Sequence, residues 1–318
     1  MKKGWMIVSG ALILIGVAVC LGAMVMLGFD FKKLNAQPFG TNTYAVSESF
    51  ENISIQADTD KLTFLPAEGK ACRVECRESK KLTHEIAVQN NTLTVRTVDK
   101  QTWFSRIGLN LDSPAITVYL PERVYDSLVI ETDTGDVAIP EDFTFGSLRI
   151  NGDTADVRCN ASAPDGMEIN LSTGDIDLAE NKTGDLSLTV STGTINVDST
   201  VCKGDVSIHV STGRVKLDGL TCANLRTEGS TGDITLKDTL AAGKIAIARS
   251  TGDVRFENAD AVEIDVKTST GDVTGTLRSE KIFFAESDTG KVSVPKSVTG
   301  GKCEITTDTG KIEIDVPQ

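Results

Sequence analysis

Residues that could do chemistry recur in this sequence in nearly identical short motifs, which we call words. Ser-Thr-Gly-Asp ends at Asp175, Asp233, Asp253 and Asp272. A serine needs a neighbouring base to act as a nucleophile, and His209 is the one histidine within the region of these words. No copy has its own Ser-His-Asp set, and an active site is normally one irregular place on a regular scaffold. The words therefore predict no catalytic residue.

The aspartate of each word could instead bind a cation. Stacked carboxylates resemble the arrangement in calcium-binding β-rolls, although the Gly-Asp repeats of those proteins are denser and shorter. The calcium candidates are Asp233, Asp253 and Asp272. A structural interpretation competes, because short carboxylates accept backbone N–H groups in turns. Elsewhere the same column holds residues without a carboxylate: Thr194, Arg214, Lys291 and Lys311.

The composition argues against several other kinds of site. The 318 residues carry a net charge of −13 without a basic cluster, which argues against nucleic-acid binding. Both Trp and all three Tyr precede residue 128, so the repeated region offers only Phe to a sugar ring. With two histidines and no Cys-x-x-Cys pair, no zinc site is predicted. No cofactor is expected.

The words belong to a repeat of 19 or 20 residues, with ten copies from about residue 128 onward. Each copy has a glycine place, which Ala155 fills once after Thr154. Thr always precedes this place, Val or Ile always follows two residues later, and an apolar residue always stands seven before. The remaining Thr-Gly pairs are Thr134, Gly135, Thr173, Gly174, Thr192, Gly193, Thr212, Gly213, Thr231, Gly232, Thr251, Gly252, Thr270, Gly271, Thr289, Gly290, Thr309 and Gly310.

Each unit alternates apolar and polar residues on both sides of the Thr-Gly corner, which indicates two short strands. The corner shifts the alternation by one residue, as glycine does in a bulge or a left-handed turn. About 20 residues are too few for a propeller blade. The sequence predicts an all-β fold, a parallel β-solenoid of about ten coils over residues 127–318. Successive coils should stack about 4.8 Å apart, wind right-handedly and use the corners as structural joints.

Residues 47–126 are predicted to form an irregular β cap on this solenoid. "NISIQADTDKLTF" follows the same columns as the repeats, with Asp60 in the glycine place, and predicts a first, separated coil. "THEIAVQNNTLTVRT" indicates a hairpin about Asn90 and Asn91. "VDKQTWFSRIGLNLDS" is predicted to be a long loop. Solenoids need such caps because an open end exposes core and strand edge.

The beginning of the chain has a different character. Residues 5–29 contain no charge, and such a run is long enough to cross a bilayer as one helix. We expect residues 1–4 to be a cytoplasmic tail, 5–29 a transmembrane anchor and 30–46 a linker, with the body outside the cytoplasm. A cleaved signal peptide and a lipoprotein modified on Cys20 are the alternatives.

Two cysteine pairs could form disulfides outside the cell. Cys202 and Cys222 occupy the same column of adjacent coils, and Cys72 and Cys76 both lie in the cap. Stacked neighbours often have poor geometry for a disulfide, so two small buried side chains are the default expectation for Cys202 and Cys222.

These features together resemble a known bacterial group. An apolar N-terminal segment, a strand-rich preface with "VYLPE" and "STGDI" or "STGDV" words every 19–20 residues are similar to the β-strand-repeat domain of unknown function often called an adhesin. That group includes the LiaG-like membrane proteins associated with cell-envelope stress. The resemblance covers about residues 45–318 and brings no catalytic residues.

The resemblance implies a membrane-anchored, non-enzymatic surface solenoid that serves as an adhesin or as a scaffold for envelope contacts. Its expected partners are the membrane and envelope or membrane proteins. The main alternative is a LiaG-like accessory protein of a stress response that binds a membrane partner. A carbohydrate-active solenoid enzyme is the more distant alternative.

Overall fold

The computed structural model describes residues 2–26, 39–100 and 113–316. One helix, α1, covers Lys2–Met26. No helix in these three ranges has the length and apolar character that crossing a bilayer requires, so the predicted transmembrane span over 5–29 is not confirmed. Residues 27–38 of the predicted anchor and linker, and residues 101–112 of the predicted long loop, lie outside the described residues.

Every other element is a β-strand. In chain order the strands are β1 (Gly40–Val46), β2 (Asn52–Ala57), β3 (Lys61–Pro66), β4 (Cys72–Glu78), β5 (Leu82–Gln89), β6 (Thr92–Asp99), β7 (Ala115–Leu120), β8 (Val124–Thr132), β9 (Val137–Ile139), β10 (Thr144–Thr154), β11 (Val157–Cys159), β12 (Gly166–Thr173), β13 (Ile176–Ala179), β14 (Lys182–Thr183), β15 (Leu186–Thr192), β16 (Ile195–Asp198), β17 (Val201–Cys202), β18 (Val206–Thr212), β19 (Val215–Asp218), β20 (Thr221–Cys222), β21 (Leu225–Thr231), β22 (Ile234–Lys237), β23 (Leu240–Thr251), β24 (Val254–Thr270), β25 (Val273–Leu277), β26 (Lys281–Thr289), β27 (Val292–Ser293), β28 (Gly301–Thr309) and β29 (Ile312–Asp315).

These strands build the predicted parallel solenoid of about ten coils. In a typical coil, one strand ends at the Thr of the corner and the next begins at the Val or Ile two residues after the glycine place, as β15 and β16 do around Gly193. Strands pair in register with their counterparts one coil away, for example Leu186 with Val206. Both of these side chains are buried, because period-two alternation sends every second residue to the inside. The hand of the winding stays a prediction.

The first separated coil joins the cap to the solenoid. Ile53 of β2 pairs with Leu128 of β8, and Leu62 of β3 pairs with Val137 of β9, so this coil lies directly on the first regular one. On its other side β2 pairs with β6 and β3 with β7.

Antiparallel strands complete the cap. β5 and β6 form the predicted hairpin, in which Asn90 and Asn91 have φ values of 50° and 62°. Positive φ at both turn residues is the geometry that joins two twisted strands tightly. The structure differs from the predicted linker over 30–46, since residues 40–46 form β1, which pairs antiparallel with β4. β1 therefore continues the cap.

The two distal coils do not stack in sequence order. β28 pairs with β24 on one side and with β26 on the other, and β29 likewise lies between β25 and β27. The coil of residues 301–315 is therefore inserted between the coils of 264–277 and 281–293. The expectation of simple sequential stacking is wrong here, and among the described strands β26 and β27 form the distal edge.

Candidate functional site

The repeated corners bring the backbones of successive coils into close contact. Gly213 has a φ of +146°, a conformation that L side chains rarely adopt. A Cβ atom at this position would lie 1.7 Å from the carbonyl oxygen of Gly193 in the neighbouring coil. Glycine is needed at Gly213 because its φ is positive and the stacked backbone fills the space that a side chain would take.

The three calcium candidates stack along the surface just after these corners. The Oδ1 atom of Asp233 accepts the backbone N–H of Asp253 at 3.0 Å, and Oδ1 of Asp253 accepts that of Asp272 at 2.8 Å. Asp272 in turn accepts the N–H of Lys311 at 2.9 Å. Each carboxylate thus accepts a hydrogen bond from the backbone of the next coil. This is the role that the structural interpretation of the aspartates predicts.

The histidine of the repeats lies on the open surface. His209 Nε2 is 3.4 Å from Ser211 Oγ; His209 is exposed and Ser211 is half-buried. No carboxylate in the described part of the chain is hydrogen-bonded to the His209 ring. The pair consequently lacks the acid that would orient a catalytic histidine.

A cluster of buried titratable groups lies instead in the cap. Asp60, Glu78 and His84 are 0%, 5% and 5% exposed. Nε2 of His84 is 3.0 Å from Asp60 Oδ1, and Nδ1 is 2.9 Å from Glu78 Oε1. We call these three residues the cap cluster.

Three different elements position the cap cluster. Asp60 occupies the glycine place of the first coil, and its carbonyl oxygen fills the space beside Gly135 of the next coil. Glu78 ends β4, and His84 lies in β5. The cluster therefore ties the first coil to both antiparallel parts of the cap.

Polar neighbours satisfy the two carboxylates. Thr97 Oγ1 donates to Asp60 Oδ2 at 2.7 Å. Tyr44 Oη donates to Glu78 Oε2 at 3.0 Å, and the Asn42 side-chain amide donates to the same oxygen. Buried charges that are paired and hydrogen-bonded in this way avoid most of the cost of desolvation.

Burial and hydrogen bonding have opposite effects on the pKa values of His84 and Glu78. Burial works to lower the pKa of His84, but its hydrogen bonds and attraction to Asp60 and Glu78 outweigh burial and raise that pKa. Burial likewise works to raise the pKa of Glu78, yet hydrogen bonds from Asn42, His84 and Tyr44 lower it. Both shifts favour the charged forms, a protonated His84 imidazole beside an ionised Glu78.

The predicted cysteine pairs are unbonded in the structure, which has all its cysteines as free thiols. Cys72 and Cys76 lie on one strand, β4, so their Cα atoms are about 13 Å apart, too far for a disulfide. The suggestion of a bond between them is wrong for this reason. Cys202 and Cys222 lie in adjacent coils and are both buried, and burial raises the pKa of Cys222 to about 12.

Sequence reasoning placed Asp60 in the glycine column but missed the cap cluster. An aspartate in a column of glycines was one available signal, and His84, one of only two histidines, was the other. Nothing in the period links these residues to Glu78, because β4 and β5 lie outside the repeats.

The fold defines this chain as a parallel β-solenoid with an antiparallel cap. The Toastrack DUF4097 family model matches residues 50–315, and the chain belongs to this family. The resemblance to bacterial β-strand-repeat domains of unknown function is thereby confirmed. No curated protein matches the chain.

Several solved structures are similar to the chain at low sequence identity. A "putative adhesin" from Parabacteroides merdae is 14% identical, covers 74% of this chain and 95% of its own, and gives a TM-score of 0.49. A "putative lipid binding protein" from Parabacteroides distasonis is 13% identical, with 74% and 94% coverage and a TM-score of 0.46. A "putative adhesin" from Bacteroides fragilis is 14% identical, with 87% and 97% coverage and a TM-score of 0.42.

Proposed function

We propose that this protein is a non-enzymatic surface solenoid that binds an envelope or surface partner through its distal end. The observation that carries the proposal is the exposed apolar surface of the distal coil, residues 281–293. The side chain of Val292 is 39% exposed, whereas its counterpart Ile312 in the neighbouring coil is completely buried. Phe284 in β26 is 55% exposed.

The distal end combines two features that favour association. In the described part of the molecule, β26 pairs only with β28 and β27 only with β29, so both strands present a free edge. An unpaired edge beside exposed apolar side chains is a ready surface for another protein. The net charge of −13 disfavours contact with anionic lipid or wall polymers, so we assign the contact to apolar side chains.

Photo-crosslinking in cells tests the position of the contact. We would place a photoreactive amino acid at Phe284 in one variant and at Val124 in the control. Val124 is also exposed, at 63%, but lies at the opposite, cap end. The proposal expects adducts from position 284 and few from 124. Equal crosslinking from both positions would contradict it.

Anchoring and location form a separate part of the proposal. They rest on the sequence, in which residues 5–29 carry no charge. We propose that this segment holds the body outside the cytoplasm, with residues 1–4 inside. A reporter enzyme that works only outside the cytoplasm should then be active when fused after Gln318. Activity of a reporter that works only inside the cytoplasm, fused at the same place, would refute this location.

The stress-accessory role is the alternative, and the same adducts distinguish it. An adduct with a membrane protein of an envelope-stress system would favour that role, whereas an adduct with a surface component would favour adhesion. The non-enzymatic part of the proposal is supported by the isolated His209 and Ser211 pair. Hydrolysis or lysis of a wall polysaccharide by the purified protein would overturn it.

A further inference from the structure

We propose that Cys76, Glu78 and His84 form a binding site for a divalent transition-metal ion such as Zn²⁺ or Co²⁺. The ligand atoms of these three residues all lie within 4.8 Å of one another, and all three residues are buried. Among the described residues, no other group of three or more His, Cys, Asp or Glu side chains has its ligand atoms this close together. The sequence predicts no zinc site because it has no Cys-x-x-Cys pair, whereas the ligands here converge from two strands.

The strand geometry explains why the ligands converge. Cys76 and Glu78 are two residues apart in β4, so both side chains point to the buried face of that strand. His84 reaches the same space from β5. β4 is held by its pairing with β1 and β7, and β5 by its pairing with β6, so the backbones that carry the three ligands are in place before any metal binds.

The surroundings of His84 match those of a metal-binding histidine. Its Nε2 atom lies 3.0 Å from Asp60 Oδ1. A histidine ligand usually donates its second N–H to a carboxylate, which fixes the tautomer and orients the ring. With the proton on Nε2, the lone pair of Nδ1 points toward Glu78, where the metal would lie.

The charge of the cluster allows a dication to enter a buried site. When M²⁺ is bound, the Cys76 thiolate and the Glu78 and Asp60 carboxylates supply three negative charges, and the His84 imidazole is a neutral ligand. Any proton on a ligand atom is released to solvent as the metal binds. The occupied site then has a net charge of −1, so the two positive charges of the ion are compensated in the core.

The donor set selects the kind of metal. A thiolate, an imidazole and a carboxylate together suit Zn²⁺ or Co²⁺, whereas Ca²⁺ and Mg²⁺ prefer oxygen ligands only. The site is closed by the cap strands, which suits a structural ion that pins β4 to β5.

Titration of the full chain with Co²⁺ in detergent, after removal of metal by a chelator, tests this inference. We expect one tightly bound Co²⁺ per chain, a thiolate-to-cobalt charge-transfer band, displacement by Zn²⁺ and a higher melting temperature. Cys76→Ser should abolish the band, and the matched control Cys159→Ser, at a buried cysteine in the solenoid, should retain it. Asp60→Asn should weaken binding by about 10- to 100-fold.

The measurement on the unaltered chain keeps the inference falsifiable if Cys76→Ser fails to fold. Absence of a thiolate band in the unaltered protein would overturn the site, as would a band that survives in folded Cys76→Ser. Circular dichroism establishes whether each variant is folded. An unchanged melting temperature with Zn²⁺ would also count against it.

Discussion

Ile264 is paired in register with Cys303, and Cys303 in turn with Phe283, so the last coil in sequence lies between two coils that precede it. A tandem repeat is normally expected to stack each unit on the one before. Here the inserted coil separates two units that are adjacent in sequence. This order decides which residues form the distal end.

Engineered cysteines test the coil order directly. Lys267 pairs with Thr306, and Glu286 pairs with the same threonine from the other side. Lys267→Cys with Thr306→Cys should be bridged by a short bis-thiol cross-linker, because paired Cα atoms are about 5 Å apart. Lys267→Cys with Glu286→Cys should not, since two strand spacings are about 10 Å. Peptide mapping by mass spectrometry identifies the cross-links, and the reverse result would establish sequential stacking.

Substitution of a corner glycine should destabilise the solenoid. Gly213→Ala forces a Cβ atom against the Gly193 carbonyl at a φ of +146°, so we expect a loss of about 2 kcal/mol or more in the free energy of unfolding. Gly40→Ala is the control, because nothing lies within 4 Å of a Cβ at that position. Urea unfolding measures both variants. Equal stability of the two would show that the corner tolerates a side chain.

Loss of one charge from the cap cluster should weaken the cap. Asp60→Asn leaves the buried His84 cation short of a partner, which typically costs about 3–5 kcal/mol. The exposed Asp308→Asn should change stability by no more than about 0.5 kcal/mol. Hydrogen exchange of β5 and β6 in the metal-free protein should rise in the first variant only. Unchanged protection in Asp60→Asn would mean that the ion pairs contribute little.

The aspartate column should act through hydrogen bonds to the backbone. Asp253→Ala removes the acceptor for the N–H of Asp272, with an expected loss of about 1 kcal/mol. Asp253→Asn keeps an oxygen in the same place and should retain most of the stability. The melting temperature should also be the same in millimolar Ca²⁺ and in chelator. A rise with Ca²⁺ that Asp253→Ala abolishes would restore the calcium interpretation.

The repeat of 19 or 20 residues predicted most of the fold because equivalent positions have the same surroundings in every coil. Leu186 and Val206 stack for the same reason that their neighbours do, so one rule describes all of them. Because the repeats are so alike, the order in which the coils stack could not be predicted from them. Phe283 and Cys303 satisfy one column equally, and the pattern contains nothing that says which of them lies beside Ile264.

The cap cluster could not be predicted in the same way. Glu78 and His84 meet where the chain turns from β4 into β5, in a region without a repeat, so no periodic spacing predicts their contact. Residues 40–46 show the same limit, because β1 exists through its pairing with β4. Contacts that depend on the tertiary arrangement of such strands produce no local pattern in a single sequence.

The inserted coil also affects the order in which the molecule can assemble during synthesis. Residues 281–293 leave the ribosome before residues 301–315, yet their two strands pair only with strands of that later segment. The distal coil therefore has no native strand to join until the later segment has been made. Growth from the cap can proceed coil by coil as far as β25, and β28 and β29 must then pair with β24 and β25 before β26 and β27 find their partner strands.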